Sequence, residues 1–263
     1  MIFGPMPVAR AKGAILAHSL RLPDGRLRKG AVLTAADLSR LTAAGLRTVT
    51  VARLEDGDID EDTAAARLAS ALVPDPDTVH IRRGKAATGR VNLHATTPGV
   101  VEIDAAAVRA LNRVHPMITF ACPHPWTQTR DRGLVGTVKI ISYGVPEDAL
   151  CEAEGWAAAA IRVHPPKLRT VTLILTLVRG DDEPGKGRQA VADRLSALGM
   201  TLADVRTVPH SAADIAAALA VSATDLSLIL TASATSDIRD EAPEAVRRAG
   251  GRIVRFGMPV DPG

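Results

Sequence analysis

Asp225-Leu-Ser-Leu-Ile-Leu-Thr-Ala-Ser-Ala-Thr-Ser-Asp-Ile-Arg-Asp-Glu-Ala-Pro-Glu-Ala245 holds three signals in succession. The apolar run Leu226 to Leu230 has the length and composition of a buried strand. It stops at Thr231, and Ala232 to Ser236 are all small or hydroxylated. Arg239-Asp240 then opens a helical pattern. Pro243 falls in its first turn, where a missing N–H costs little. A strand, a small-residue loop and a helix N-terminus in that order predict an anion site. The loop admits a ligand to the backbone, and the helix end presents free N–H groups.

The same alternation extends outward. Leu168 to Val178, Ala203 to Val208 and Arg252 to Phe256 read as further strands. Gly187 to Leu198, Ser211 to Ala220 and Glu241 to Ala249 read as helices, the second capped by Ser211 with Asp214 three residues on. Strands alternating with helices of this length predict an α/β domain, a mostly parallel sheet with helices on both faces in three αβα layers. Pro165-Pro166 is the clearest break in the chain, so this domain is expected over 167–263. Met258-Pro-Val-Asp-Pro-Gly263 reads as a loop after a strand, and the domain is therefore expected to be C-terminally incomplete.

The preceding region, 1–165, reads as mixed α+β, with Pro74-Asp-Pro-Asp77 dividing it into 1–75 and 76–165. Gly13 to His18 and Lys29 to Leu33 flank Pro23-Asp24-Gly25, a hairpin signal. Thr34 with Asp37 is a capping-box-like helix start, and Gly45 ends that helix. Thr48 to Val51, Gly99 to Asp104, Met117 to Ala121 and Gly136 to Ile141 are expected strands. Glu61 to Leu72, Ala105 to Val114 and Glu147 to Ala160 are expected helices.

Composition narrows the function classes. With 263 residues, 46% of them hydrophobic, the chain can bury a sizeable core. Aromatic residues are only 2%, so that core must be Ala, Val, Leu and Ile, and a base-stacking nucleic-acid platform is not expected. The net charge of +3 and a pI of about 9.1 give a mild preference for anions, without a dense Lys/Arg stripe. Cys122 and Cys151 form no Cys-x-x-Cys pair, which fits a reducing compartment. Met1 to Gly13 has no uninterrupted apolar core of a signal peptide, and no run approaches a membrane span. A cytoplasmic location is the expectation.

Several side chains suit the predicted anion site. Thr231, Ser233, Thr235 and Ser236 can present hydroxyls at the carboxyl end of a strand, where ligands of open α/β sheets bind. Arg239 suits a bidentate pair with a phosphate or carboxylate. Asp240 suits both an N-cap and an oxygen ligand to Mg2+. Gly180, four residues, Gly185-Lys186 almost spells a phosphate-binding P-loop, but Gly187 stands where Ser or Thr should hold Mg2+. Asp181, Asp182 and Glu183 would also repel a phosphate there.

The pattern Ala232-Ser-Ala-Thr235, three residues, Arg239-Asp240, two residues, Pro243-Glu-Ala245 resembles the molybdopterin-binding domain of molybdopterin adenylyltransferases and molybdenum insertases. Ala232 to Thr235 stand where that family has Gly-Gly-Thr-Gly, and His210 stands where it has an acidic residue. The N-terminal half is similar to bacterial molybdopterin-binding proteins that often precede a cytidylyltransferase domain. Gly13 to Ser19, Arg28-Lys-Gly-Ala-Val-Leu-Thr34, Thr88-Gly-Arg-Val-Asn92, Gly136-Thr-Val-Lys-Ile-Ile141 and Phe256 to Gly263 carry that likeness. The Arg-Met-Gly signature of the cytidylyltransferase itself is absent.

The resemblance implies a protein of molybdenum cofactor biosynthesis, a transferase that binds molybdopterin or its adenylylated form with Mg2+. It implies phosphate contacts from Lys186, Arg188 and Arg239, and ligand contacts from Thr231, Ser233, Ala234, Thr235 and Asp261. Asp240 would be the metal-orienting catalytic residue. Gly89, Arg90, Asn92 and Lys139 would line a second polar surface. It also implies association into dimers or trimers, and partners among molybdenum cofactor enzymes or a nucleotidyltransferase. A non-catalytic module that delivers the pterin to a partner remains the alternative.

Overall fold

The computed structural model describes residues 1–178 and 185–257. Its contacts divide the chain into two compact units, Met1–His164 and Pro165–Gly263. The chain is mixed α/β, with mostly antiparallel sheets in the first unit and a parallel sheet in the second.

The first unit contains two apolar cores. The smaller gathers Val8, Leu16, Leu33, Leu41 and Val51. It lies under an antiparallel sheet in which Thr48–Arg53 runs between Ile2–Pro7 and Ile15–Leu16. Thr34 and Asp37 form the reciprocal capping box that starts the helix Ala35–Ala43. The hairpin is shorter than the sequence suggested. Its arms are Leu20–Leu22 and Gly25–Leu27. The flanks outside them still meet, through the Ile15–Val32 bridge and backbone hydrogen bonds from Gly13 to Leu33, Leu16 to Ala31, Gly30 to Leu16 and Leu33 to Ala14.

The larger core is built on a four-stranded antiparallel sheet, Ile118–Ala121, Leu134–Ile140, Arg90–Ala95 and Ile81–Arg83 in spatial order. A second sheet orders Thr127–Thr129, Gly99–Ile103 and Ile161–His164. Helix Glu61–Leu72 starts where the Asp60 carboxylate accepts the N–H groups of Asp62 and Thr63. It buries Ala64, Ala65, Leu68, Ala69 and Leu72, one stripe at helical spacing. Helix Ala105–Val114 is capped by Asp104 in the same way. Phe120 is the one aromatic side chain among the buried residues of this core. Alanine-rich helices lying close on the sheet replace aromatic bulk here.

In the second unit the central strand Thr170–Leu177 pairs in parallel with Thr201–Pro209 on one side and Leu226–Leu230 on the other. Val171 to Thr176 are all buried, as a strand covered on both faces must be. Helices Gly185–Ala197, Ala212–Ala220 and Glu241–Arg248 alternate with the strands. Ala212, Ile215 and Ala245 form a small cluster against Val208 and Ile229. Asp225 fixes the start of the sheet by accepting the N–H groups of Arg169 and Thr170 at 2.8 Å each.

Two expectations are corrected in this unit. Leu226–Leu230 is half-buried along its whole length, because it is an edge strand among the described residues. Arg252 to Phe256 form no strand: they pair with no strand among the described residues, and Val254 is 82% exposed. No helix among the described residues is long and apolar enough to cross a membrane.

Candidate functional site

The carboxyl edge of the parallel sheet is tied together by one buried hydroxyl. Thr176 Oγ1 accepts the N–H of Ala232 at 2.8 Å and lies 2.9 Å from His210 Nδ1. His210 N–H in turn donates to Leu177 O at 2.9 Å. The ends of all three strands are thus joined at Thr176, and the Thr231–Asp240 loop leaves from that point. His210 has its structural partner here.

Beyond Thr231 the loop is open. Ser233, Ala234, Thr235 and Ser236 are exposed. Arg239 is 85% exposed and folds back on its own loop, with Nε 2.9 Å from Asp237 Oδ1. That pair holds the Asp237 carboxyl below its ordinary range and raises the guanidinium. Asp240 is the N-cap of Glu241–Arg248: its carboxylate accepts the N–H groups of Glu241 at 2.8 Å and Ser236 at 3.2 Å. Glu241 reaches across to cap the neighbouring helix through the N–H of Ala212.

Lys186 and Arg188 sit exposed in the first turn of Gly185–Ala197. That helix follows the central strand, so both belong to the same sheet edge as the Thr231–Asp240 loop. Gly180 to Glu183 and Asp261 lie outside the described residues. Among the described residues no three His, Cys, Asp or Glu side chains gather as a metal cluster. Asp240, the carboxylate that the resemblance assigns to Mg2+, has both oxygens on backbone N–H groups.

A second site lies within the first unit. Lys29, Glu61, Thr88, Lys139, Ile141 and Tyr143 line a cavity of about 390 Å³. Lys139 is placed by the ladder between Leu134–Ile140 and Arg90–Ala95, where it faces Arg90 across the strands, as Thr137 faces Asn92. Val91, Leu93, Val138 and Ile140 fill the buried face of the same strands. The pleat thus sends the polar set to the opposite face. Asn92 is used locally, accepting from Thr137 Oγ1 at 3.1 Å. Lys139 Nζ donates to Thr88 O.

The cavity floor needs an unusual backbone. Thr88 and Gly89 both have positive φ, 50° and 67°. For a β-branched residue such as Thr88 that conformation is an outlier, costing on the order of 1–3 kcal/mol. At Gly89 a Cβ would stand 2.6 Å from Ile140 O and 2.9 Å from Glu61 Oε2. Only glycine leaves room for the Glu61 carboxylate. Gly89 N–H is held by Asp62 Oδ1 at 2.7 Å.

The charges in this cavity act on one another without forming an ion pair. Among the described residues Glu61 has no hydrogen bond to its carboxylate and no cation within 4 Å. Burial pushes its carboxyl above the ordinary range, against the opposing pull of Lys139 and Lys29. Lys29 Nζ sits 5.8 Å from the centre of the Tyr143 ring, with no carboxylate partner among the described residues. Tyr143 is itself fixed, its hydroxyl donating to Ala17 O at 3.0 Å and its carbonyl accepting Glu61 N–H at 3.1 Å. A second concavity, about 430 Å³ beside Pro23 and Ala43, is different: its two charges, Asp24 and Arg40, pair at 2.7 Å.

Sequence reading marked Lys139 and Gly89 through resemblance and passed over Glu61 and Tyr143. Glu61 stands in the first turn of a helix, where an acidic residue is expected for the helix dipole alone. A model described as "Domain of unknown function (DUF8806)" matches residues 5–53, the segment that carries Lys29 and the smaller core. No curated protein and no solved structure matches the chain.

Proposed function

We propose that the chain is a molybdenum cofactor biosynthesis protein, and that its second unit binds molybdopterin or an adenylylated form at the carboxyl edge of the parallel sheet. The observation that carries this reading is the Thr231–Asp240 loop. It leaves an edge strand beside the central one and opens a capped helix, with Arg239-Asp240 and Pro243-Glu-Ala245 in the resembling positions. The sheet order, with the first strand in the middle, sends its crossovers in opposite directions, and ligands of open α/β sheets lie where that happens. In this reading the unit is a three-layer αβα domain. Lys186, Arg188 and Arg239 neutralise phosphate, while Ser233, Ala234 and Thr235 let the ligand approach the backbone.

A binding or delivery role is favoured over adenylyl or molybdenum transfer. Asp240 spends both carboxylate oxygens on backbone N–H groups, and Arg239 is engaged by Asp237. The test is equilibrium binding of molybdopterin to the whole chain, with and without Mg2+. Asp240→Asn keeps the capping acceptor, whereas Asp240→Ala removes it at a cost of about 0.5–2 kcal/mol. Binding that survives in Asp240→Asn and ignores Mg2+ supports the delivery role. Binding that needs Mg2+ and is lost in Asp240→Asn supports transfer. Absence of binding by the folded parent ends the assignment.

A further inference from the structure

The 390 Å³ cavity of the first unit has the features of a ligand site that the reading of the second unit does not use. Two ammonium groups and one carboxylate line it without an ion pair between them. Glu61 and Lys139 are half-buried, and a half-buried carboxylate with no hydrogen bond or ion pair is costly to hold there and suits a ligand's donors. The neighbouring carboxylates do not supply it. Asp60 accepts the N–H groups of Asp62 and Thr63, and Asp62 accepts that of Gly89. At two other concavities of this unit the lining holds an ion pair, Asp24 with Arg40 at 2.7 Å and Asp131 with Arg132 at 3.7 Å.

We propose that this cavity binds a small phosphate ester whose other end is a ring presenting adjacent N–H donors, with the phosphate between Lys29 and Lys139 and the donors on the two oxygens of Glu61. Two lysines match the charge of a phosphate dianion, and an ammonium approaches a tetrahedral oxyanion from any side. The exposed Ile141 side chain and the Tyr143 ring supply an apolar wall for the ring. The volume lies within the range of about 300–1,000 Å³ typical of small-molecule sites. The proposal does not rest on the function assigned to the second unit, and it involves none of that unit's residues.

The probes are guanosine monophosphate, adenosine monophosphate and inorganic phosphate, titrated calorimetrically into the whole chain. Guanine offers an adjacent N–H pair to a carboxylate, and adenine does not. Guanosine monophosphate is expected to bind tightest. Lys29→Ala, which removes an exposed ammonium, and Lys139→Gln are each expected to weaken it at least tenfold, from the lost charge-assisted contacts. Glu61→Gln is expected to bring guanosine monophosphate down to the level of adenosine monophosphate while leaving inorganic phosphate unchanged. Lys186→Ala is expected to change none of these values. The proposal is overturned by a folded parent that binds no probe at millimolar concentration. It is equally overturned if binding persists unchanged in Lys29→Ala and Lys139→Gln, or if Glu61→Gln weakens inorganic phosphate as much as the nucleotide.

Discussion

The two candidate sites differ in what their charged groups already do. At the edge of the parallel sheet Arg239 is occupied by Asp237, Asp240 by two backbone N–H groups, and Glu241 by the N–H of Ala212. In the cavity of the first unit, among the described residues, Glu61 and Lys29 have no partner of opposite charge within 4 Å, and Lys139 donates to the Thr88 carbonyl. The loop's charges stabilise the loop. The cavity's charges are imposed by the surrounding fold, which supplies a left-handed Thr88 and a glycine with no room for a side chain. Charges that help their own segment fold say little about ligands, whereas charges kept apart at a cost ask for one.

The sharpest way to break this contrast is a single methyl group. Gly89→Ala places a Cβ 2.6 Å from Ile140 O in a backbone with φ of 67°. The expected cost is about 2–5 kcal/mol, from left-handed strain of roughly 1–2 and overpacking of roughly 1–3. Gly155→Ala, within the helix Glu147–Ala157 of the same unit and with nothing within 4 Å, is expected to stay within about 1 kcal/mol of the parent. Both tryptophans, Trp126 and Trp156, lie in the first unit, so their fluorescence in urea follows that unit alone. Equal midpoints for the two variants would mean that the cavity floor relaxes freely and is not a built site.

Next in size is the hydroxyl that joins the strand ends. Thr176→Val keeps the shape and leaves Ala232 N–H without its acceptor and His210 Nδ1 without its contact. A buried polar group left unsatisfied costs about 1–3 kcal/mol. The loss should appear in the far-ultraviolet circular dichroism of unfolding and be invisible to tryptophan fluorescence. A shift in the fluorescence midpoint would show that the two units do not unfold separately.

Local signals were legible and the meeting of distant segments was not. Glu61–Leu72 and Ala105–Val114 fall at the bounds expected from the sequence. In both, an Asp before the first turn and buried Ala or Leu at helical spacing act within a few residues of chain. Arg252 to Phe256 has the composition of a strand and is not one, because a strand exists only through a neighbour. The Thr231–Asp240 loop was legible as strand, loop and cap, since each part is local. Its pairing of Arg239 with Asp237 was not anticipated. The cavity draws Lys29, Glu61, Lys139 and Tyr143 from four separate segments, and no spacing rule connects them. The hint available was that Arg28-Lys-Gly, Thr88-Gly-Arg and Gly136 to Ile141 had each been singled out by the same resemblance.

The smallest effect tests the contrast most directly, because its sign decides. Lys29, Lys139, Asp60, Asp62 and Tyr143 surround Glu61, and burial outweighs the lysines in raising its carboxyl above the ordinary glutamate range. A carboxyl raised in the folded state favours folding while it is protonated. That contribution is complete below the unfolded value and is lost as pH rises through the folded one. At neutral pH the ionised Glu61 is therefore a liability to the fold. Glu61→Gln should unfold at higher urea than the parent near neutral pH, and the gap should close on acidification below the ordinary glutamate range. The parent should regain the difference when guanosine monophosphate is added, since a ligand that binds only the folded form adds its own free energy. If Glu61→Gln is instead the less stable protein at neutral pH, the lysines outweigh burial. Glu61 would then be a structural partner like Asp237, and the distinction between the two sites would fail.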